Sequence, residues 1–262
     1  MKNRLPWLLC LLLLPLPALL VTFGAGGEDT LRYACRVKAT YPHDPADSVQ
    51  GLLLAGQTLY ESTGGYGTSS VASKELATGR CLQRRPLAGE LFGEGLALQG
   101  GSLYQLTWKS GRVFQYNPAD FRLVAEHAIP TQGWGLAAMG DRLVLSDGSA
   151  VLHFYAPQGF REIGQVTVTE RGRPVTGLNE LEWVDGLVYA NVYPTAEMVM
   201  IDPATGRVTG RADLGGLLAA ADPEGKAGVP NGIAYDPQAG RLLVTGKRWP
   251  LLFEIELVPE LP

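Results

Sequence analysis

Five segments of this chain share one shape: LLLAGQTLYES, LALQGGSLYQLTW, LAAMGDRLVLSDG, LEWVDGLVYANVY and IAYDPQAGRLLVTGK. Each reads as an apolar strand, a tight turn (Gly-Gln, Gly-Gly, Gly-Asp, Asp-Gly or Gln-Ala-Gly) and a second strand. The leading apolar residues Leu52, Leu96, Leu136, Leu181 and Ile233 follow one another at intervals of 44, 40, 45 and 52 residues. Third and fourth strands follow in several units, as VFQYNP with FRLVAEHAI, VLHFYAP with FREIGQVTV, and MVMIDPATG with RVTGRADL. Four short strands per unit at a period near 40–45 residues is the signature of a β-propeller.

The last unit supplies only three strands, IAYD, RLLVTG and LFEIEL, before the chain ends. The strand LRYACRVKAT ahead of the first unit supplies the fourth, which closes the ring and removes a sheet edge. The sequence therefore predicts an all-β fold, a five-bladed β-propeller closed by an N-terminal strand, as a single domain over residues 31–258. A two-sheet sandwich would not explain the repeated hairpin. Composition agrees: 33 Gly and 18 Pro make about a fifth of the 262 residues, against roughly 12% in average usage. Both are poor in helix interiors, which argues against a helical bundle. A net charge of −4 provides no electrostatic reason to bind nucleic acid.

Residues 1–26 read as an address and not as part of the fold. Lys2 and Arg4 precede an apolar run from Leu5 to Phe23, the pattern of a secretory signal peptide, with small residues at Gly24-Ala25-Gly26 for cleavage. The run is near the length of a membrane span, so an uncleaved anchor is the competing reading. Pro6, Pro15 and Pro17 disfavour a straight spanning helix. The expected location is extracytoplasmic, periplasmic or secreted, with no stable membrane association once the leader is cleaved. Cleavage leaves Cys35 and Cys81, which in an oxidising compartment either pair or stay separate thiols.

In a propeller the innermost strands line a central channel. Gln50, Glu94, Trp134, Asn179 and Asn231 stand just before the five leading strands and are expected to converge at its mouth. The repeat explains a recurrent Gly-Leu at these places but not Glu94, since flanking glycines weaken a strand. Gly93 and Gly95 are expected to leave room for substrate beside Glu94, although a solvated turn carboxylate is the plainer alternative. Second strands end in Trp108, Tyr193 and Lys247 near the same end. For the tryptophans the alternative is packing between blades, and for Lys247 a surface pair with Arg248. The histidines His43, His127 and His153 have no metal-ligand spacing. His43 in YPHDP is read as bracing a turn with Asp44, and His153 as a packed strand residue.

The segments YPHDP, QGL, LYESTGGYGTSSV, FGEGLAL, LYQLTW, GWGLA, LNELEW, YANVY, PNGIAYD and VTGKRWPLLFEI run from Tyr41 to Ile255. In that order they resemble the plant and bacterial type of glutaminyl-peptide cyclotransferase, a five-bladed propeller enzyme. The resemblance implies conversion of N-terminal glutaminyl residues of peptides or proteins to pyroglutamyl with release of ammonia, without a metal; no cofactor and a monomeric state are expected beside it. It implies that the catalytic carboxylate is Glu94, with Lys247 and Asn179 as further catalytic residues. Gln50, Phe92, Trp108, Trp134 and Tyr193 would bind substrate. Three positions depart from the family's pattern: Ser48 where an aromatic is usual, Tyr193 for Trp, and Ala196 for Asp. A non-catalytic propeller that captures peptide N-termini is the alternative those departures support.

Overall fold

The computed structural model describes residues 29–222 and 225–260; the leader expected over residues 1–26 lies outside the described residues. β1 (Leu31–Pro42) is followed by β2 (Val49–Ala55), β3 (Thr58–Thr63), β4 (Ser70–Glu75) and β5 (Cys81–Pro86), of which β2–β5 form one antiparallel sheet. A second sheet holds β6 (Gly93–Gln99), β7 (Ser102–Thr107), β8 (Arg112–Tyr116) and β9 (Leu123–Ala128). A third holds β10 (Leu136–Met139), β11 (Arg142–Ser146), β12 (Val151–Ala156) and β13 (Arg161–Thr167). A small hairpin of β14 (Thr169–Glu170) and β15 (Arg173–Pro174) then leads to β16 (Leu178–Val184), β17 (Leu187–Val192), β18 (Glu197–Ile201) and β19 (Val208–Asp213). The helix α1 (Gly215–Ala221) connects these to β20 (Pro230–Asp236), β21 (Arg241–Gly246) and β22 (Leu251–Pro259). β1 pairs antiparallel with β22 and parallel with β19, so the last two units share one eight-stranded sheet.

The leading strands β2, β6, β10, β16 and β20 touch in that order, and β20 returns to β2. The protein is all-β and propeller-like. Burial falls across each unit: β2 and β6 are almost wholly buried, whereas β5 and β9 are mostly exposed. The apolar cores lie between neighbouring units. Leu53, Val71, Leu96 and Phe114 join the first two, Leu106, Leu136 and Tyr155 the next pair, and Leu152, Leu181 and Val199 the third and fourth units. Met200, Ile233 and Phe253 continue the series, and Leu52, Ala234 and Leu243 return it to the start. Each unit buries its faces only against its neighbours.

The recurrent glycine of the leading strands has a packing cause. A Cβ on Gly51 would lie 2.5 Å from Leu96 N, one on Gly95 2.5 Å from Leu136 N, and one on Gly135 2.0 Å from the Asn179 carbonyl oxygen. Each absent side chain lets one leading strand press onto the next. This corrects the expectation that Gly93 and Gly95 leave room for substrate, because protein fills that room. The Thr63 carbonyl stands 2.7 Å from the Cβ position of Gly93, and that of Trp134 stands 2.7 Å from that of Gly95. Gly95→Ala is accordingly expected to cost about 1–3 kcal/mol, the scale of overpacking. Gly216→Ala in α1, where a Cβ meets nothing, should leave the melting temperature unchanged or slightly raised. Thermal melts of the two variants check the contrast.

One buried charge network was not legible in the sequence. His43 does not brace Asp44, whose carboxylate instead accepts the Ala46 N–H. Its Nδ1 lies 2.7 Å from the Trp249 carbonyl and its Nε2 3.0 Å from Glu61 Oε2. Lys74 Nζ donates to Glu61 Oε2 at 2.7 Å and to Asp47 Oδ2 at 2.6 Å, and Arg84 holds both Asp47 oxygens at 3.0 Å. His43, Asp47, Glu61 and Lys74 are all buried. The network fastens the first unit to the turn after β21, where Arg248 N–H donates to the Asp47 carbonyl and His43 N–H to that of Pro250. His153 is a buried strand residue of β12, as expected. Cys35 and Cys81 are both free thiols.

Candidate active site

Leading strands begin, and second strands end, at the same end of each hairpin, so side chains at those positions meet. Gln50, Glu94 and Asn179 stand at the starts of β2, β6 and β16, with Phe92 just before β6 and Trp134 just before β10. Trp108, Tyr193 and Lys247 directly follow β7, β17 and β21. These eight residues line one cavity of about 300 Å³. Local backbone geometry aims three of them. The pairing register slips between Val49 and Gly51, between Gly93 and Leu96, and between Leu178 and Leu181. A bulge of this kind turns a side chain out of the ordinary alternation, and here it acts at Gln50, Glu94 and Asn179.

Asn231 departs from the expected convergence. It too sits in a register slip, between Pro230 and Ile233, but it is fully buried behind the cavity wall. Its Nδ2 donates to Gln50 Oε1 and to the Val49 carbonyl, both at 3.0 Å. Gln50 is thereby held by its oxygen, leaving its amide N–H groups as donors for the cavity. Asn179 is fixed through its backbone: Ser146 Oγ donates to its carbonyl at 2.6 Å while accepting the Gly135 N–H. The turn carrying Lys247 is held by two backbone hydrogen bonds, Gly228 N–H to the Lys247 carbonyl and Lys247 N–H to that of Val229.

Two aromatic pairs wall the cavity. Phe92 meets Trp108 edge to face with centroids 5.6 Å apart, and Trp134 meets Tyr193 at 5.9 Å. Both tryptophans line the cavity, and Trp134 also spans two units through its contact with Tyr193. Gly148 lies under the Trp134 ring and Gly64 under that of Phe92, where a Cβ would come within 2.7 Å and 2.2 Å. The Lys247 ammonium lies 5.2 Å from the Tyr193 ring centroid, so Lys247 is not a surface partner of Arg248.

The electrostatics centre on Glu94, which is 5% exposed. Among the described residues the charge of Lys247, and no hydrogen bond, acts on its carboxylate besides burial. Burial pushes its pKa well above the ordinary carboxylate range, and the charge of Lys247 pulls it partly back. Burial likewise pulls Lys247 below the usual lysine range, with the Glu94 charge opposing. A carboxyl shifted upward in the same cavity as an amine shifted downward is suited to exchanging protons with a bound molecule. Further along β16, Glu180 caps the Leu52 and Ile233 N–H groups and Glu182 that of Tyr235. Those two acids are structural props of the inner strands. Among the described residues no cluster of three or more His, Cys, Asp or Glu is arranged to hold a metal ion.

Comparison with known proteins converges with this geometry. The family model described as Glutamine cyclotransferase matches residues 11–257. The chain is 40% identical over 226 residues to a glutaminyl-peptide cyclotransferase of Arabidopsis thaliana, spanning 84% of this chain and 70% of that one. The crystal structure of the Myxococcus xanthus glutaminyl cyclase superposes with a TM-score of 0.83 at 36% identity, covering 88% of this chain and all of that one. With its hairpin units, its cavity and these relatives in agreement, the chain belongs to the glutamine cyclotransferase family of enzymes.

Proposed function

We propose that the protein converts N-terminal glutaminyl residues of peptides to pyroglutamyl with release of ammonia, independently of metal, using Glu94 as general acid and base. We also take the units to be five blades, closed by β1 on β22. The observation that carries the mechanism is Glu94 itself, buried, without a hydrogen-bond donor among the described residues, and lining with Lys247 a cavity walled by aromatic rings.

In this reaction the substrate's α-amine nitrogen attacks its own γ-amide carbon. A C–N bond closes the five-membered ring, and the amide C–N bond then breaks to free ammonia. The attacking amine must be neutral, and its unperturbed pKa is about 8. Ring closure is intramolecular, so holding the bent conformer supplies much of the rate. Glu94 takes a proton from the attacking amine and returns it to the departing nitrogen; such catalysis contributes roughly 10²–10⁴-fold. The oxyanion that forms on the amide oxygen needs donors, and Lys247 and Asn179 are the groups we assign to it. Phe92, Trp108, Trp134 and Tyr193 exclude water and so suppress simple hydrolysis. Tyr193 keeps an aromatic wall at one of the positions that depart from the family's pattern.

The test is ammonia release from a short Gln-initiated peptide, with and without a chelator. Turnover unaffected by the chelator is expected; binding without turnover would replace this reading with that of a non-catalytic peptide receptor. The pH profile adds a signed check. The acidic limb of kcat, which does not contain the free substrate's amine, should lie above the ordinary carboxylate range, because burial raises Glu94. In the residual activity of Lys247→Met that limb should move to still higher pH, since the cation favouring the Glu94 carboxylate is gone. A limb that stays in place would separate Glu94 from the titration.

A further inference from the structure

Tyr66 is the most exposed of the large apolar side chains described, at 58%, yet it sits on a firmly tied loop. Gly65 and Gly67 turn the chain at φ 137° and 79°. Thr68 and Ser69 N–H groups both donate to the Gly65 carbonyl, and Gly67 N–H donates to that of Gly89. Ser69 Oγ donates to Gly65 O at 2.8 Å and accepts the Gly93 N–H at 2.9 Å, tying the loop to the backbone beside Glu94. A ring held out into water by a rigid glycine loop gains nothing for the core.

Its aromatic neighbour among the described residues gives the direction. Tyr66 meets Phe92 edge to face at 5.4 Å, and Phe92 meets Trp108 in the same way. The three rings make a row from the cavity wall to the solvent. At the Trp108 end of the row the Lys109 ammonium lies 4.0 Å from that ring's centroid. With the glutaminyl residue in the cavity, the next Cα of the substrate lies about 3.8 Å further on, at the mouth where this row ends.

We propose that Tyr66, Phe92 and Trp108 form a subsite for the side chain of the substrate's second residue, selecting aromatic and apolar groups, with Lys109 turning away cationic ones. The subsite rests on the cyclotransferase reading. The rival explanation is that Tyr66 only braces Phe92, and the two predict different kinetics. A brace affects every substrate alike, because Phe92 also lines the cavity assigned to the glutaminyl residue common to all of them.

The experiment compares kcat/KM for Gln-Phe-Ala, Gln-Gly-Ala and Gln-Lys-Ala in wild type, Tyr66→Ala, Tyr66→Phe and Lys109→Gln. In wild type the order Phe over Gly over Lys is expected. Tyr66→Ala should lower the Phe-to-Gly ratio roughly five- to tenfold, the scale of one aromatic pair, and leave Gln-Gly-Ala nearly unchanged. Tyr66→Phe should keep the ratio, and Lys109→Gln should raise the rate on Gln-Lys-Ala selectively. Equal losses on all three peptides in Tyr66→Ala, or an unchanged ratio, would overturn the subsite alone. Wild type without turnover on any peptide would sink the cyclotransferase reading and the subsite with it.

Discussion

Glu94→Gln is expected to cut ammonia release from a Gln-initiated peptide by roughly 10²–10⁴-fold, the usual worth of a general acid–base group. The amide keeps the shape of the carboxylate but can neither take the amine's proton nor hand one to ammonia. The fold should not suffer. No hydrogen bond to the carboxylate is lost among the described residues, and a group whose ionised form is disfavoured by burial is replaced by a neutral one. The melting temperature should therefore hold or rise slightly, with unchanged circular dichroism. An enzyme that stays fully active after this change would refute Glu94 as the proton carrier. A collapsed melt would instead point to a structural carboxylate.

Lys74→Met should be the most destabilising of the changes considered. Lys74 is 2% exposed and holds Glu61 and Asp47 together; removing one partner of a buried ion pair costs about 3–5 kcal/mol. At roughly 2–4 °C per kcal/mol for a chain of this size class, the melt should fall by about 10 °C. The loss should also depend on pH. Burial pulls the His43 imidazole down, but the Glu61 carboxylate more than offsets this, so its pKa is raised. The stability His43 contributes is thus full below its unfolded pKa of about 6.5 and fades as pH rises through its folded value. With Lys74 gone, His43 is the remaining cation against Glu61 among the described residues, so as pH rises from about 6.5 through the raised His43 value the variant should lose stability more steeply than wild type. Asp47 acts at the other end: burial raises it, but Arg84 and Lys74 hold it down to about 2. Its contribution is present above pH 4 and is lost as pH falls toward 2. A melt of Lys74→Met that matches wild type across this range would mean the network carries no net stability.

Much of the fold was readable because its information is periodic. Leu52, Leu96, Leu136, Leu181 and Ile233 mark the phase of each unit, and phase alone puts Gln50, Glu94, Trp134 and Asn179 at one end. The turns after the second strands add Trp108, Tyr193 and Lys247 by the same logic. Phe92 and the chemical roles came through the family resemblance. What escaped has no local signal. Lys74 lies in VASKE, where alternation reads it as an ordinary strand residue, and its partners Asp47 and Glu61 become neighbours only through sheet pairing. Asn231 looked like a fifth lining residue, because phase fixes which end a side chain occupies but not its depth. Tyr66 sits between glycines in a turn, and nothing short of its meeting with Phe92 distinguishes it from loop punctuation.

The pairing of β1 with β22 joins segments about 220 residues apart, as in the contact of Arg36 with Glu256. During synthesis β1 leaves the ribosome about 220 residues ahead of its antiparallel partner. Until that partner is made, the edge it will cover stays unclaimed, the kind of surface that recruits other chains. Its sequence suits the wait: Arg32, Arg36 and Lys38 punctuate LRYACRVKATYP and remain exposed in the finished fold. The same charges that pair with Glu197 and Glu256 at the end thus keep the nascent chain from finding a stranger first.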